Sequence, residues 1–305
     1  MKIHYKRELF KGYSGLCESV FCAPFEDPEK FKEDKFENDR FSNLINIGSE
    51  YLELVDVVDC DYVVLPYKWD NYSQITSDII REGKKHGKKI IALYNDDFEP
   101  LKRLSEEDGY LFTTTLVKGS RRKNEFSFPA FSGDFFTEDK FNLNRSFGFC
   151  GGITHHLRQD ILSVIYNSKE IKSDLVIRQG FWAPELSKDD ARIQFLENMI
   201  NNTFIICIRG AGNFSYRLYE SMMMGRIPII IDSDQILPFE KVIDYKCFSF
   251  RIDFKESNNI INILKDISNK LSDNDIINMQ KNSRNIWKEY MSPEGWIKNF
   301  TKELC

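Results

Sequence analysis

At roughly 150 residues per domain, a chain of 305 residues suggests about two domains. Hydrophobic residues at 42% and charged residues at 29% are ordinary globular values and exclude extended disorder and fibrous classes. Forty-seven acids against 42 bases leave a net charge of −5, not the balance of a protein whose main partner is a nucleic acid, although a local basic pocket for phosphates stays compatible with it.

No stretch approaches the roughly 20 apolar residues of a membrane span. The N-terminus carries no apolar run of signal-peptide length, so the cytoplasm is the expected compartment. The seven cysteines, at 17, 22, 60, 150, 207, 247 and 305, are odd in number and spaced for neither a zinc site nor a disulfide framework. They read as reduced thiols, mostly small core residues.

The first 55 residues give little pattern, and the charged, proline-punctuated stretch from Pro24 to Phe41 reads as a surface loop with a helical turn. From Asp61 onward, strands alternate with helices. Asp61–Pro66 is a compact apolar run suited to a buried parallel strand. Ile75–Lys85 has helical spacing, and Lys89–Tyr94 is the next strand, running into Asn95-Asp96-Asp97. Tyr110–Val117 and Phe126–Phe131 are further strand candidates. A polar turn around Glu138–Arg145 marks the expected domain boundary, giving an N-terminal Rossmann-like domain over 1–143 and a second over 144–285, with a helical tail over 286–305. The second series runs Ser146–Cys150 (strand), His155–Tyr166 (helix), Leu175–Arg178 (strand), Lys188–Ile200 (helix), Thr203–Ile208 (strand), Ser215–Met224 (helix) and Arg226–Asp232 (strand). The class is α/β, two Rossmann-like units.

The informative segment is Thr203–Phe239. A buried strand ends at Ile208. Arg209, Gly210 and Gly212 follow in a loop where glycine allows close backbone approach. Ser215 can cap the next helix, whose free N–H groups and positive dipole suit a phosphate. Arg209 and Arg217 add bidentate positive charge. Glu220 lies one turn beyond Arg217 on the same face, and its carboxylate can accept two hydrogen bonds from a vicinal diol such as a ribose. Each feature alone has an ordinary structural explanation: an i,i+3 ion pair for Arg217 and Glu220, a simple turn for the glycines. Their combination, followed by Gly225-x-Ile227-Pro228 and Leu237-Pro238-Phe239, is harder to explain that way.

On those residues the sequence resembles the exostosin-type glycosyltransferases. The resemblance runs from about Arg145 to Leu264 and includes Phe149-x-Gly151 followed by Arg158 on the next helix. Further upstream, Asn95-Asp96-Asp97-Phe98 resembles a segment where the family often carries His-Asp-Trp. The resemblance implies a GT-B scaffold of two facing domains, with the C-terminal helices crossing back to the first. It also implies an inverting transfer from a nucleotide sugar. Glu220 would then bind the ribose. Arg217, Arg209 and Arg158 would hold the pyrophosphate, with backbone amides near Gly210, Ser215 and Gly151 assisting. Arginines in that role replace a divalent metal, because both neutralise charge as the sugar–phosphate bond breaks. No metal and no cofactor are therefore expected.

An inverting transfer needs a general base on the acceptor side. Asp96 and Asp97 follow a strand at its carboxyl end and are the favoured candidates, ahead of Asp134, His155 and His156. Asp232-Ser233-Asp234 and Asp59-Cys60-Asp61 spell a metal-chelating pattern, but two acids at that spacing are common in so charged a chain. Met222–Met224 reads as core. Arg121-Arg122-Lys123 reads as solvated surface, with an anionic acceptor or a headgroup as the minority reading. Trp69 and Tyr67 suit either an acceptor sugar or the core, while Trp287 and Trp296 suit packing of the tail. The expected function is transfer of a sugar, from a UDP-sugar first and a GDP-sugar second, to a glycan or lipid-linked glycan, with peripheral membrane association left open. The rival is a non-catalytic subunit that keeps the fold and binds a glycan or a partner.

Overall fold

The computed structural model describes residues 1–11, 20–31, 40–69, 73–136, 141–178, 180, 183 and 186–304. The chain forms two compact units. The first comprises Met1–Gly133, Ile236–Val242 and Glu289–Cys305, and the second Asp134–Gln235 and Ile243–Lys288. The first stretch of unit 1 thus ends ten residues before the boundary expected at 143, and residues from Glu289 onward belong to unit 1.

Unit 1 is built on β1 (Lys2–His4), β2 (Glu53–Leu54), β3 (Tyr62–Val64), β4 (Lys89–Tyr94), β5 (Gly109–Thr113) and β6 (Glu125–Ser127), with helices α1 (Ser42–Ile47) and α2 (Gln74–Lys85). All pairings are parallel, in the order β2-β1-β3-β4-β5-β6. The strands are short because polar side chains take over at their ends. The candidate strand Tyr110–Val117 stops at Thr113, where the hydroxyl of Thr114 donates to Asn95 Oδ1 and that of Thr115 to the Asp96 carbonyl. The candidate strand Phe126–Phe131 stops at Ser127, two residues before Pro129, which has no N–H for a ladder. α2 begins where Ser73 accepts from the Thr76 N–H. On one face, Val63, Leu65, Ile79, Ile90, Ala92 and Leu111 form a continuous core.

Unit 2 has β7 (Phe147–Gly152), β8 (Ser173–Arg178), β9 (Phe204–Cys207), β10 (Ile227–Asp232) and β11 (Phe250–Asp253). Its helices are α3 (His156–Asn167), α4 (Lys188–Ile200), α5 (Tyr216–Met223), α6 (Ile260–Lys270) and α7 (Asp273–Ile286). This sheet too is parallel, ordered β11-β10-β9-β7-β8. Phe147, Phe149, Phe204, Ile206, Ile229 and Ile231 form its buried centre against Ile161, Ile165 and Leu264. Met222, Met223 and Met224 are buried in the same unit. Arg145, at a φ of 57°, fastens the start of β7 by donating to the carbonyls of Ser268 and Leu271 and pairing with Asp273 at 2.6 Å.

The chain leaves unit 2 through a π-helical turn, Trp287–Met291, and forms α8 (Pro293–Asn299) in unit 1. There Trp296 is fully buried, with rings of Phe128 at 4.7 Å, Phe300 at 4.9 Å, Phe112 at 5.2 Å and Phe21 at 5.5 Å. Trp69 is likewise core: it is buried and its Nε1–H donates to the Lys102 carbonyl at 2.8 Å, which removes it as a platform for a sugar.

Candidate active site

In each sheet, six strands in unit 1 and five in unit 2, the order begins second-first-third and then runs on in sequence, so the direction of winding across the sheet reverses between the first and third strands. Open α/β sheets bind ligands in the crevice outside the carboxyl ends at such a switch point. In unit 2 that point lies between β7 and β9, and most of the predicted donor residues surround it.

Phe149, in the middle of β7, has two arginines over its ring. Arg217 on α5 lies over its ring at 4.5 Å, and Arg158 on α3 at 5.5 Å. Arg217 donates from Nε and Nη2 to the Cys150 carbonyl, the former at 2.6 Å. Arg158, only 5% exposed, donates to the carbonyls of Gly152 (2.7 Å) and Ile208 (2.8 Å), tying the ends of β7 and β9 together. Its Nε has no partner. Burial, helped by the neighbouring Arg217 charge, pulls the Arg158 pKa down to about 9. Burial also lowers that of Arg217, with Glu220 opposing. Both guanidiniums thus serve as backbone ties behind the glycine loop, a task that spacing alone does not announce.

Gly151 is where this packing demands glycine. Its φ is +152°, and a Cβ there would sit 1.8 Å from Arg217 Nη2. Gly210 is close to the same cluster, its Cβ position 3.3 Å from Thr154 Oγ1 and 3.5 Å from Arg158 Nη2. Arg209 bends back on its own loop, donating from Nη2 to the Ala211 carbonyl at 2.8 Å.

Ser215 occupies the position before α5, but its hydroxyl makes no cap; it is buried and unpartnered. Asn213 beside it accepts from the Ser233 hydroxyl at 2.6 Å while its Nδ2 is also buried and unpartnered. Two unspent polar groups at one helix start are a feature that sequence reasoning passed over in Asn213. Glu220 is half-buried, with Arg192 Nη1 at 4.0 Å. His155 caps α3 by accepting from the Leu157 N–H at 3.2 Å. Burial lowers its pKa, and the cations of Arg209 and Arg158 push the same way.

The remaining candidates lie elsewhere. Asp96 and Asp97 are in unit 1, after β4. Asp96 pairs with Lys68 at 2.5 Å; burial works against its ionisation, but the Lys68 hydrogen bond and charge outweigh it and hold the pKa below the usual value. Asp97 is exposed. Asp134 belongs to unit 2, where Arg284 holds it at 2.7 Å. Asp232 is paired with Arg251 at 2.8 Å, and Asp61 accepts from the Lys2 N–H. Among the described residues no group of three or more His, Cys, Asp or Glu could hold a metal ion.

Residues 141–267, from just before β7 into α6, match the Exostosin GT47 domain. The chain is 22% identical over 139 residues to the Exostosin-1 homolog of Caenorhabditis elegans, covering 46% of this chain and 35% of that protein. It is 24% identical over 208 residues to the probable arabinosyltransferase ARAD1 of Arabidopsis thaliana, covering 66% and 42%. The chain thus spans about a third to two fifths of the length of these relatives. Among solved structures it is similar to Anabaena Alr3699/HepE in complex with UDP and glucose, with a TM-score of 0.46, 10% identity and 99% and 98% of the two chains covered. The switch-point glycines and the Arg-x-x-Glu helix lie inside the span of the second unit, residues 141–267, that matches the Exostosin GT47 domain.

Proposed function

We propose that the protein is an inverting, metal-independent GT-B glycosyltransferase that moves a sugar from a UDP-sugar to a glycan or lipid-linked glycan. The observation that carries this reading is the cluster at the β7–β9 switch point of a domain matching Exostosin GT47: Gly151, Arg217, Arg158, Gly210, Ser215 and Glu220. The nucleoside diphosphate lies with its pyrophosphate against the glycine loop and the start of α5, where free N–H groups, Ser215 and Arg209 receive it. Arg158 and Arg217 lie behind that loop. Their backbone ties hold it in shape, and their charge stabilises the leaving diphosphate. Glu220 accepts from the ribose hydroxyls. Asp97 and Asp96 are together the candidates for general base, Asp96 being paired with Lys68.

The test is a thermal-shift series with UDP, GDP, CMP and dTDP, with EDTA or added manganese. A ligand at 100 times its Kd adds about 2.7 kcal/mol to the native state. UDP is expected to raise the melting temperature whether or not EDTA is present. A shift with GDP alone changes the donor. No shift with any nucleotide refutes the donor site, and a shift that vanishes with EDTA refutes metal independence.

A further inference from the structure

Unit 2 has a second cleft, at the edge of its sheet that the switch-point site does not use. It opens where β7, β8 and β9 begin, and the six residues of β7 put about 20 Å between it and the glycine loop at the carboxyl edge. Its volume is about 380 Å³, within the range of small-molecule sites. Such sites are as a rule mostly apolar, yet every described side chain lining this one is polar. One wall is fixed by its own hydrogen bonds. Asn144 Oδ1 accepts from the N–H and hydroxyl of Ser146 at 3.0 and 2.6 Å, and its Nδ2 donates to the Asn201 carbonyl. Asn142 Nδ2 donates to the Ile200 carbonyl at 2.9 Å.

The other lining groups have capacity to spare. Asn202, 1% exposed, packs against Gly148, where a Cβ would lie 2.8 Å from its Nδ2. That nitrogen donates to Asp174 Oδ2 at 3.0 Å and to the Asn198 carbonyl at 2.7 Å, while Oδ1 is buried without a partner. An orphan acceptor is uncommon in a native fold and calls for a donor that the chain does not supply. Asp174 spends Oδ2 on the amides of Asn198 and Asn202 and keeps Oδ1. Lys172 and Asn201 are exposed and Ser173 is half-buried, and none of these three side chains makes a hydrogen bond or ion pair among the described residues. An ammonium, a hydroxyl, an amide and a carboxylate oxygen thus border one cleft. An anion would meet Asp174, a cation would meet Lys172, and an aromatic ring would find no face to stack on. A ligand rich in hydroxyls, each both donor and acceptor, matches the mixed set.

We propose that this cleft, bordered by Lys172, Ser173, Asp174, Asn201 and Asn202, is a second carbohydrate site that takes a neutral hexose unit. Asp174 and Asn201 hold neighbouring hydroxyls of the sugar, Ser173 and Lys172 complete the ring of partners, and the Asn202 oxygen is satisfied directly or through one bridging water. The proposal does not rest on the glycosyltransferase reading, since the ligand class follows from the lining. Where both hold, a glycan gripped at the amino edge stays with the enzyme between turnovers, at a raised effective concentration.

The experiment titrates the full chain, with UDP present, against the methyl glycosides of glucose, galactose, mannose and N-acetylglucosamine, read by saturation-transfer NMR. At least one glycoside is expected to bind the parent with millimolar affinity. The double variant Ser173→Ala/Asn201→Ala, with an unchanged melting temperature, should bind it at least about fivefold more weakly, the worth of two hydrogen bonds. Glu220→Ala, at the other edge of the sheet, should bind it as the parent does. The proposal is overturned if no glycoside binds, or if the double variant binds within about twofold of the parent. Displacement of the glycoside by inorganic phosphate overturns it too, because that marks an anion site at Lys172. The UDP thermal shift keeps the two readings apart. A parent that binds a glycoside through Ser173 and Asn201 without a UDP shift loses the transferase reading alone, and one that shows the UDP shift but binds no glycoside loses this one alone.

Discussion

Replacing Gly151 with alanine gives the sharpest test of the arginine-backed glycine loop. The added Cβ would lie 1.8 Å from Arg217 Nη2 and 2.7 Å from its Cζ, so the guanidinium must move by more than an ångström. In moving, it gives up its paired hydrogen bonds to the Cys150 carbonyl, about 1.5–3 kcal/mol for a charged donor. It also gives up its place over the Phe149 ring, about 0.5–2 kcal/mol. Alanine at a φ of +152° adds about 1–3 kcal/mol of backbone strain. The expected destabilisation is about 3–8 kcal/mol, against a typical total stability of about 5–15. Urea unfolding followed by circular dichroism measures it. Repeating Gly151→Ala in an Arg217→Ala background removes the clash, leaving the backbone strain of about 1–3 kcal/mol. Equal losses in both backgrounds, or a loss under about 1 kcal/mol in the parent, would refute the packing argument.

Other outcomes are equally specific. Glu303 is buried, and burial pushes its pKa up from 4.5 to about 7, against the Phe239 N–H and the charges of Arg121 and Lys241. The folded state therefore binds the proton more tightly than the unfolded one. Stability should be fullest below pH 4.5 and fall by about 3 kcal/mol as pH rises to 7; in Glu303→Gln that slope should vanish, and its survival would assign the titration to another group. Trp296→Ala empties the aromatic centre of unit 1 and should cost about 3–5 kcal/mol in denaturant unfolding; a loss below 1 would contradict that packing. Glu220→Ala and Arg209→Ala should lower sugar transfer at least about 100-fold with melting temperatures near the parent's, because neither side chain lies in the core. Near-normal turnover in either would remove that residue from the donor site. Asp97→Asn should lower kcat with little change in donor KM, whereas a change confined to KM would make Asp97 a binding group.

The alternation of Ile- and Val-rich runs with amphipathic stretches made the α/β class readable, and β4 and α4 lie where the pattern puts them. β1 and β2, of three and two residues, are too short for any periodicity to register. The positions of Arg217 and Glu220 on α5 were readable from spacing. What Arg217 touches was not, since the Cys150 carbonyl and Phe149 lie nearly seventy residues upstream and meet it only after β7 and β9 pair. The Ser215 cap failed for a related reason: the residue type permits the bond, but the loop's course decides whether the hydroxyl reaches it. For Trp69, composition left sugar stacking and core equally open, and the reach of Lys102 decided it.

The first unit takes its final aromatic side chains, Trp296 and Phe300, from the last stretch of the chain. On a ribosome adding about 5–20 residues each second, roughly 155 residues (134 to 288) are synthesised after Gly133 before those side chains begin to emerge, a delay of about 10–30 s. For that interval Phe21, Phe112, Phe128 and Phe131 have no indole to close over them. The second unit, though its own chain is interrupted at 236–242, has all its strands by then. The order of birth therefore inverts the order of the sequence: the domain made first is finished last, and nascent chains stalled before α8 expose an apolar cleft for chaperones to hold.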